Sequence, residues 1–161
     1  MPPPAERRPE HEWLQQLVGE WSVTPEATME LGGEPMHGEG AERVRSFGDL
    51  WVVCEGTADF GGDAFRSMMT LGDDPDREAF VGTWIDTTQT HLWTYVGSLD
   101  QTRRVLTLEA EGPSFGDPTQ TALYRGVIAI EAPDHRVLTS SIRGEDGTWT
   151  TFLRVDHRRA R

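Results

Sequence analysis

The stretch EHEWLQQLVGEW, residues 10–21, decides how the rest of the chain is interpreted. Four of its apolar side chains recur at helical spacing: Trp13, Leu14, Leu17 and Val18. Acidic residues occupy the first turn, where the helix dipole favours them, and Gly19 is a typical terminator. The stretch therefore predicts one short helix over residues 10–18, followed immediately by a strand that contains Trp21.

Beyond this helix the chain alternates short runs of Val, Thr, Ile, Trp and Phe with clusters of Gly, Pro and Asp. This pattern is typical of strands and tight turns. We predict about ten strands, over residues 21–29, 40–47, 50–60, 64–71, 79–86, 91–99, 104–111, 121–131, 136–143 and 148–157. Parallel crossovers would need helices that the pattern lacks. The expected fold is all-β, an antiparallel up-and-down barrel whose closure removes exposed edges, with a two-sheet sandwich as the alternative.

The length of 161 residues suits one domain with a substantial core. Residues 1–9 carry four prolines and no apolar periodicity, so we expect a disordered tail there and a single barrel domain over residues 10–161.

The charge balance excludes several partners and chemistries. Fifteen basic and 27 acidic residues give a net charge of -12, which repels phosphate backbones and anionic lipids, so we expect neither a nucleic-acid partner nor a membrane. Every basic residue is arginine, which excludes a Schiff-base or phosphate-loop lysine. The lone Cys54 cannot form an internal disulfide, and no apolar leader or span is present. We therefore expect a cytoplasmic protein.

Five stretches carry a family resemblance: LVGEW (17–21), GTWID (82–86), THLW (90–93), LTLE with EGP (106–113) and WTTF (149–152). In this order they resemble the bacterial family called domain of unknown function fifteen-seventy-nine, roughly over residues 10–159. The G-x-W start is similar to that of calycin-like barrels, which include lipocalins and fatty-acid-binding proteins. The resemblance implies a barrel and no particular activity, substrate or cofactor. It also implies a late-strand arginine, Arg154, over the ring of Trp21 at the closed end.

Strand alternation points to an aromatic interior. Trp84 and Asp86 share one face of their predicted strand, and His91, Trp93 and Tyr95 share one face of the next. We expect a cavity with Trp84, Trp93 and Tyr95 as walls and with Asp86 and His91 as polar anchors. The predicted function is the binding of a small apolar or amphipathic ligand inside the barrel. Ordinary aromatic core packing is the competing interpretation.

Two other classes of function stay open. A non-catalytic interaction or structural module would have a core filled by its own aromatics and an apolar surface patch, such as a homodimer face. An enzyme of the isomerase or cyclase type would use Asp86 or His91 as acid or base and would show a strongly shifted pKa on an inward residue. We assign no catalytic residue.

No metal or cofactor is expected. The five histidines show no metal-ligand spacing, and the acidic run at residues 73–76 has the composition of a turn. The haem-binding nitrobindins, which are similar barrels, take their iron ligand from a late strand, where only His157 qualifies. His157 would share a face with Trp149 and Val155, but it ends its strand beside two arginines, and the glycine-rich run that follows G-x-W in those proteins is missing. We expect a solvent-exposed His157.

Three other features have plain structural interpretations. The sequence GPSFG (112–116) matches the G-x-S-x-G nucleophile elbow, but no helix is predicted after it, so it is expected to be a loop. Cys54 is expected to be a buried small hydrophobe. Glu109 and Glu111 alternate with apolar residues and are expected on the outer face.

Overall fold

The computed structural model describes residues 1–62 and 64–160. One helix, α1 (Pro9–Gln15), precedes an antiparallel sheet of eleven strands. The strands are β1 (Gly19–Ala27), β2 (Met36–His37), β3 (Glu39–Phe47), β4 (Trp51–Asp59), β5 (Ala64–Asp74), β6 (Ala79–Asp86), β7 (Trp93–Leu99), β8 (Val105–Pro113), β9 (Thr121–Ala132), β10 (His135–Arg143) and β11 (Trp149–Arg159).

The sheet closes into a barrel. From β3 to β11 each strand pairs with its sequence neighbour, and β11 returns to pair with β1 from Trp21↔Arg159 to Ala27↔Leu153. Ten strands thus form the closed barrel, and the two-residue β2 is added beside the end of β1. The predicted all-β up-and-down barrel is confirmed, and the sandwich alternative is wrong.

The end of the helix and the presence of β2 are two of the points at which the structure differs from the prediction. The helix ends at Gln15 because the next turn tightens: the amides of Leu17 and Val18 bond to carbonyls three residues back, at 3.0 and 3.1 Å. The strand β2 was not predicted, since two residues leave no periodic pattern. The first difference lies at an element end, where local sequence carries the least information.

Glycines on the inner face allow the strands to bend. A Cβ atom on Gly40 would lie 1.8 Å from the carbonyl oxygen of Thr57, and one on Gly97 would lie 1.8 Å from that of Thr107. No side chain fits such a close approach of two backbones. These positions therefore require glycine, and they let β3 and β7 curve around the barrel.

One end of the barrel is plugged by α1. The ring of Trp13 packs edge-on against Phe80 with centroids 6.0 Å apart, and its Nε1 donates a hydrogen bond of 2.6 Å to the carbonyl of Arg103. We call the inner-face positions at this end the helix half. Leu99 and Ile130 in this half are partly buried. Most of the other side chains are almost completely buried, among them Leu14, Leu17, Val52, Leu71, Leu106, Leu108 and Ile128. The opposite end, from Trp84 and Tyr95 to the far strand ends, is called the open half.

Several smaller expectations are confirmed. Cys54 is buried on the inner face of β4, and Glu109 and Glu111 are exposed on the outer face of β8. Ser114 of the GPSFG stretch lies in the loop after β8, and the next described element is the strand β9, not a helix. Among the described residues, no helix is both long and apolar enough to cross a membrane.

Candidate binding chamber

The open half contains unfilled space next to Gly126. This residue lies on the inner face of β9, between Leu108 of β8 and Ser140 of β10. Its φ is not positive, so its backbone can carry any side chain. A Cβ atom added there would meet a single heavy atom within 4 Å, the Cε1 of Tyr95 at 4.0 Å. We call this space, bounded by Tyr95 and Ser140, the chamber.

The structure brings the predicted aromatic residues together on the inner face. Trp84 pairs directly with Trp93, and Tyr95 is paired with Gly82. Trp84 and Tyr95 pack against the core, yet all three aromatic side chains remain partly exposed. All three therefore line the inner face of the open half with part of their surface unburied.

His91 lies at the rim rather than on a strand. The strand β7 begins at Trp93, two residues later than predicted. The imidazole of His91 packs edge-on against the Trp93 ring, with centroids 4.6 Å apart. His91 thus supports the position of Trp93 from the mouth of the barrel.

Asp86 is committed to local hydrogen bonds. Its Oδ2 accepts from the indole Nε1 of Trp84 at 2.9 Å and from Gln89 at 3.3 Å, and its Oδ1 accepts from the amide and hydroxyl of Thr88 at 2.7 and 2.5 Å. These bonds hold the turn after β6. The carboxylate therefore fixes the orientation of the Trp84 indole.

The ring of Tyr95 borders the chamber, with its Cε1 4.0 Å from the Cβ position of Gly126. Within the described residues no hydrogen bond involves the Tyr95 hydroxyl, although the ring packs against the core. Burial, with a smaller effect from the charge of Asp86, raises the pKa of Tyr95 well above its usual value. The phenol consequently stays protonated near neutral pH and acts as a donor.

A second aromatic group, which the sequence analysis did not single out, borders the open half. Tyr124 packs against Trp93 with ring centroids 4.7 Å apart and donates its hydroxyl hydrogen to the carbonyl of Pro113. Phe115 and Phe152 pack on each other at 4.8 Å and also contact Tyr124. Alternation with Gly126 on β9 was a usable signal for Tyr124. The loop position of Phe115 had none.

The helix half contains a buried ionic cluster of Glu42, Arg136 and His157. Arg136 donates from Nη2 to Oε1 of Glu42, and the Nε2 of His157 lies 3.4 Å from Oε2. Burial alone would raise the pKa of Glu42, but the His157 hydrogen bond and the Arg136 charge outweigh it and lower that pKa to about 2. Glu42 therefore stays ionised and balances the charge of Arg136 inside the barrel.

The expectation of a solvent-exposed His157 is wrong, because its side chain faces inward and the residue is 1% exposed. Its Nε2 faces Glu42, and its Nδ1 lies 3.2 Å from the carbonyl oxygen of Val155. With both nitrogens engaged, this histidine has no atom left to coordinate a haem iron. Among the described residues, no group of three or more His, Cys, Asp or Glu side chains could hold a metal ion.

The arginine over Trp21 is not Arg154. The guanidinium carbons of Arg136 and Arg159 lie 4.6 and 4.2 Å from the Trp21 ring centroid. Arg154 points outward, since its neighbours Leu153 and Val155 face the interior. Arg159 also donates to the carbonyls of Val18 at 2.8 Å and Gln16 at 3.0 Å, which ties the segment after α1 to the barrel.

Trp149 does not share a face with His157 as expected. The register between β10 and β11 shifts at a bulge, with Ser140 paired to Leu153 and Ser141 paired to Thr151. Because of this extra residue, the side chains at the start of β11 point to the opposite faces from those that strict alternation predicts. The Trp149 ring lies outside, where the guanidinium of Arg125 stacks on it at 4.0 Å.

Two grooves also lie on the outer surface. One of about 1180 Å³ follows the seam of β1, β2 and β3 and is bordered by His37, Asp59 and Arg154. The other, of about 650 Å³, crosses the outer side of β3 to β6 near Met68 and Ile85. Charged residues border both grooves, and neither is lined by the aromatic wall of the chamber.

Comparison with family models identifies the family, because one model matches residues 6–159, nearly the entire chain. The chain belongs to the family described as "Protein of unknown function (DUF1579)". The resemblance stated from the five sequence stretches is thereby confirmed. No curated protein matches the DUF1579 chain.

Two solved structures show the same barrel. Rv2717c from M. tuberculosis is 15% identical, with a TM-score of 0.63, and the match covers 97% of this chain and 100% of that one. The structure described as EF1p2_mFAP2b bound to DFHBI is 12% identical, with a TM-score of 0.51, and the match covers 94% and 99%. At these identities the similarity of the DUF1579 chain to both structures concerns the fold alone.

Proposed function

We propose that this protein binds a small apolar or amphipathic molecule in the chamber beside Gly126. The observation that carries the proposal is the open space at an interior glycine of a closed barrel. A barrel filled by its own side chains would place atoms there, since protein interiors are close-packed. The chamber lies on the same inner face as Trp84 and Tyr95, whose partly exposed rings offer an apolar surface to a ligand.

The solved structure with bound DFHBI supports this proposal at the level of the fold. That barrel, which aligns over 94% of this chain, is described as bound to a small molecule. The same architecture is therefore compatible with small-molecule binding. The chemical class of the ligand of this protein has to be inferred from the residues of this chain.

The pKa values favour binding over catalysis. A general acid or base works best with a pKa near the operating pH. The inward groups with large shifts move away from neutral pH: the pKa of Glu42 is lowered to about 2, and the pKa values of Tyr95 and Cys54 are raised. Each group is thus held in one protonation state at neutral pH, and both oxygens of Asp86 already accept hydrogen bonds. We therefore propose a non-catalytic binding protein.

The test is to fill the chamber. The variant Gly126→Leu places a side chain in the open space, whereas Ala129→Leu places one on the outer face of the same strand. N-phenyl-1-naphthylamine, a neutral dye that fluoresces in apolar surroundings, reports occupancy in a titration. We expect saturable binding to the wild type and to Ala129→Leu, and loss of that binding in Gly126→Leu with unchanged circular dichroism.

Native mass spectrometry of the untagged proteins gives a second readout. A co-purifying mass that is present in the wild type and in Ala129→Leu, but absent in Gly126→Leu, would support the chamber and define its natural ligand. Equal dye binding by both variants would place the site elsewhere. Absence of both dye binding and a co-purifying mass in the wild type would refute the proposal.

A further inference from the structure

Two hydroxyls next to the chamber, those of Tyr95 and Ser140, can donate hydrogen bonds and carry no positive charge. Tyr95 borders the open space directly, and Ser140 is the cross-strand neighbour of Gly126 on the same inner face. No hydrogen bond within the described residues involves either hydroxyl. Both side chains are only partly buried, so both hydroxyls are available to a molecule in the chamber.

The cations inside the barrel are already neutralised or bonded. The chain has no lysine, and strand alternation places only Arg136 and Arg159 among the strand arginines on the inner face. Arg136 is paired with Glu42, and Arg159 donates to the carbonyls of Val18, Gln16 and Pro133. The Nε of Arg136 has no hydrogen-bond partner within the described residues, but its charge is balanced by Glu42 and its guanidinium packs on Trp21 in the helix half. Arg136 lies four residues along β10 from Ser140, the cross-strand neighbour of Gly126.

The remaining charge near the chamber is negative. The Asp86 carboxylate accepts a hydrogen bond from the indole Nε1 of Trp84, which shares the inner face with Tyr95, and its charge adds to the effect of burial in raising the pKa of Tyr95. An ionised carboxylate or sulfonate that entered the chamber would lose its hydration, find no cation and approach Asp86. Burial of such an unpaired anion is unfavourable and would cancel much of the gain from apolar contact.

From this arrangement we infer that the chamber selects an uncharged ligand whose hydrogen-bond acceptor, such as a ketone, ester or amide carbonyl, receives the hydroxyl hydrogens of Tyr95 and Ser140. The inference rests on the proposed function and narrows its ligand class. It excludes fatty acids and other carboxylates as ligands, although these are amphipathic and otherwise suited to an apolar barrel.

Three naphthalenes of nearly equal size separate the contributions of charge and acceptor. 2-Acetylnaphthalene is neutral and carries a carbonyl, 2-naphthoate replaces the methyl ketone with a carboxylate, and 2-isopropenylnaphthalene has the same shape without an acceptor. Each competes with N-phenyl-1-naphthylamine for the wild-type protein at pH 7. We expect 2-acetylnaphthalene to displace the dye best and 2-naphthoate to be weaker by about tenfold or more, as the burial cost of an unpaired charge requires.

The variants Tyr95→Phe and Ser140→Ala measure how much each hydroxyl contributes to binding of the carbonyl compound. Loss of one hydrogen bond lowers an affinity by about two- to tenfold, so Tyr95→Phe should lower the affinity for 2-acetylnaphthalene by that factor. Its affinity for 2-isopropenylnaphthalene should stay unchanged, because that compound makes no such bond. Ser140→Ala should show the same selectivity with a smaller factor.

The outcomes distinguish this inference from the proposed function. If the dye binds only when Gly126 is unfilled but 2-naphthoate competes as well as 2-acetylnaphthalene, the chamber stands and the inference is overturned. Equal weakening of the ketone and the isopropenyl compound in Tyr95→Phe, or failure of the ketone to displace the dye, also overturns the inference. If the wild type binds no dye and carries no co-purifying molecule, the proposed function itself fails.

Discussion

In the helix half of the barrel Leu71, Leu106 and Leu108 are completely buried, whereas in the open half Trp84, Tyr95 and Ser140 remain partly exposed. Both halves are built from the same strands. The difference arises because α1 and the ionic cluster fill one end, while Gly126 leaves space in the other. The helix half is therefore the more completely packed of the two, although Tyr124 and Ile142 of the open half are also buried.

The largest expected effect comes from breaking the ionic cluster in the helix half. The variant Arg136→Met leaves the Glu42 carboxylate buried without its arginine, which typically costs about 3 to 5 kcal/mol of unfolding free energy. Urea unfolding measures the loss. The double variant with Glu42→Gln removes the unpaired charge and should recover much of it. A double variant no more stable than Arg136→Met would show that the charge pair is not the cause.

Acid should weaken the same cluster. The folded pKa of Glu42 is about 2, below its ordinary value of 4.5, so its contribution is complete above pH 4.5 and is lost as the pH falls from 4.5 towards 2. The shift corresponds to about 3 kcal/mol. Unfolding free energies measured across this pH range should fall for the wild type. In Glu42→Gln the slope should be smaller, and equal slopes would contradict the assignment.

Truncation of matched leucines compares the two halves directly. Leu106→Ala in the helix half should cost about 2 to 5 kcal/mol, because it removes a fully buried side chain and leaves a cavity. Leu153 lies on the inner face of the open half and is only partly buried. The loss of unfolding free energy in Leu153→Ala should therefore be about 2 kcal/mol smaller than in Leu106→Ala. Equal losses in chemical denaturation would mean that both halves are packed alike.

The smallest effect concerns Asp86. Asp86→Asn keeps the shape but weakens the hydrogen bond that orients Trp84, so stability should change by only about 1 kcal/mol or less. The affinity for N-phenyl-1-naphthylamine should nevertheless fall by about two- to fivefold. Asp146→Asn is the matched control, because Asp146 accepts from the amide and hydroxyl of Thr148 in a turn that contains no chamber residue. Equal losses of dye affinity in both variants would argue against a role for Asp86 in the chamber.

The inward positions of Trp84, Trp93 and Tyr95 could be predicted from the sequence because β6 and β7 are regular. Alternation holds wherever each residue of a strand faces one residue of its partner. It failed for Trp149, because the bulge opposite Ser140 adds one residue to β11 and reverses the faces before it. No local sequence pattern predicted that bulge.

The ionic cluster could not be predicted for a different reason. Glu42, Arg136 and His157 come from three strands that are far apart in sequence, and their contacts depend on the closure of β11 onto β1. His157 therefore looked like an exposed terminal histidine next to two arginines. Only the closed register shows that it faces inward against a carboxylate.

By itself the sequence determined the fold class, the single helix, the family and the aromatic face of two strands, because periodicity, turn residues and composition act locally. The tertiary structure alone decided that Arg136 and Arg159 cover Trp21, that Glu42 is compensated, and that space remains beside Gly126. These features depend on which side chains meet across a closed barrel. Such meetings are fixed by register and by volume, which no short stretch of sequence encodes.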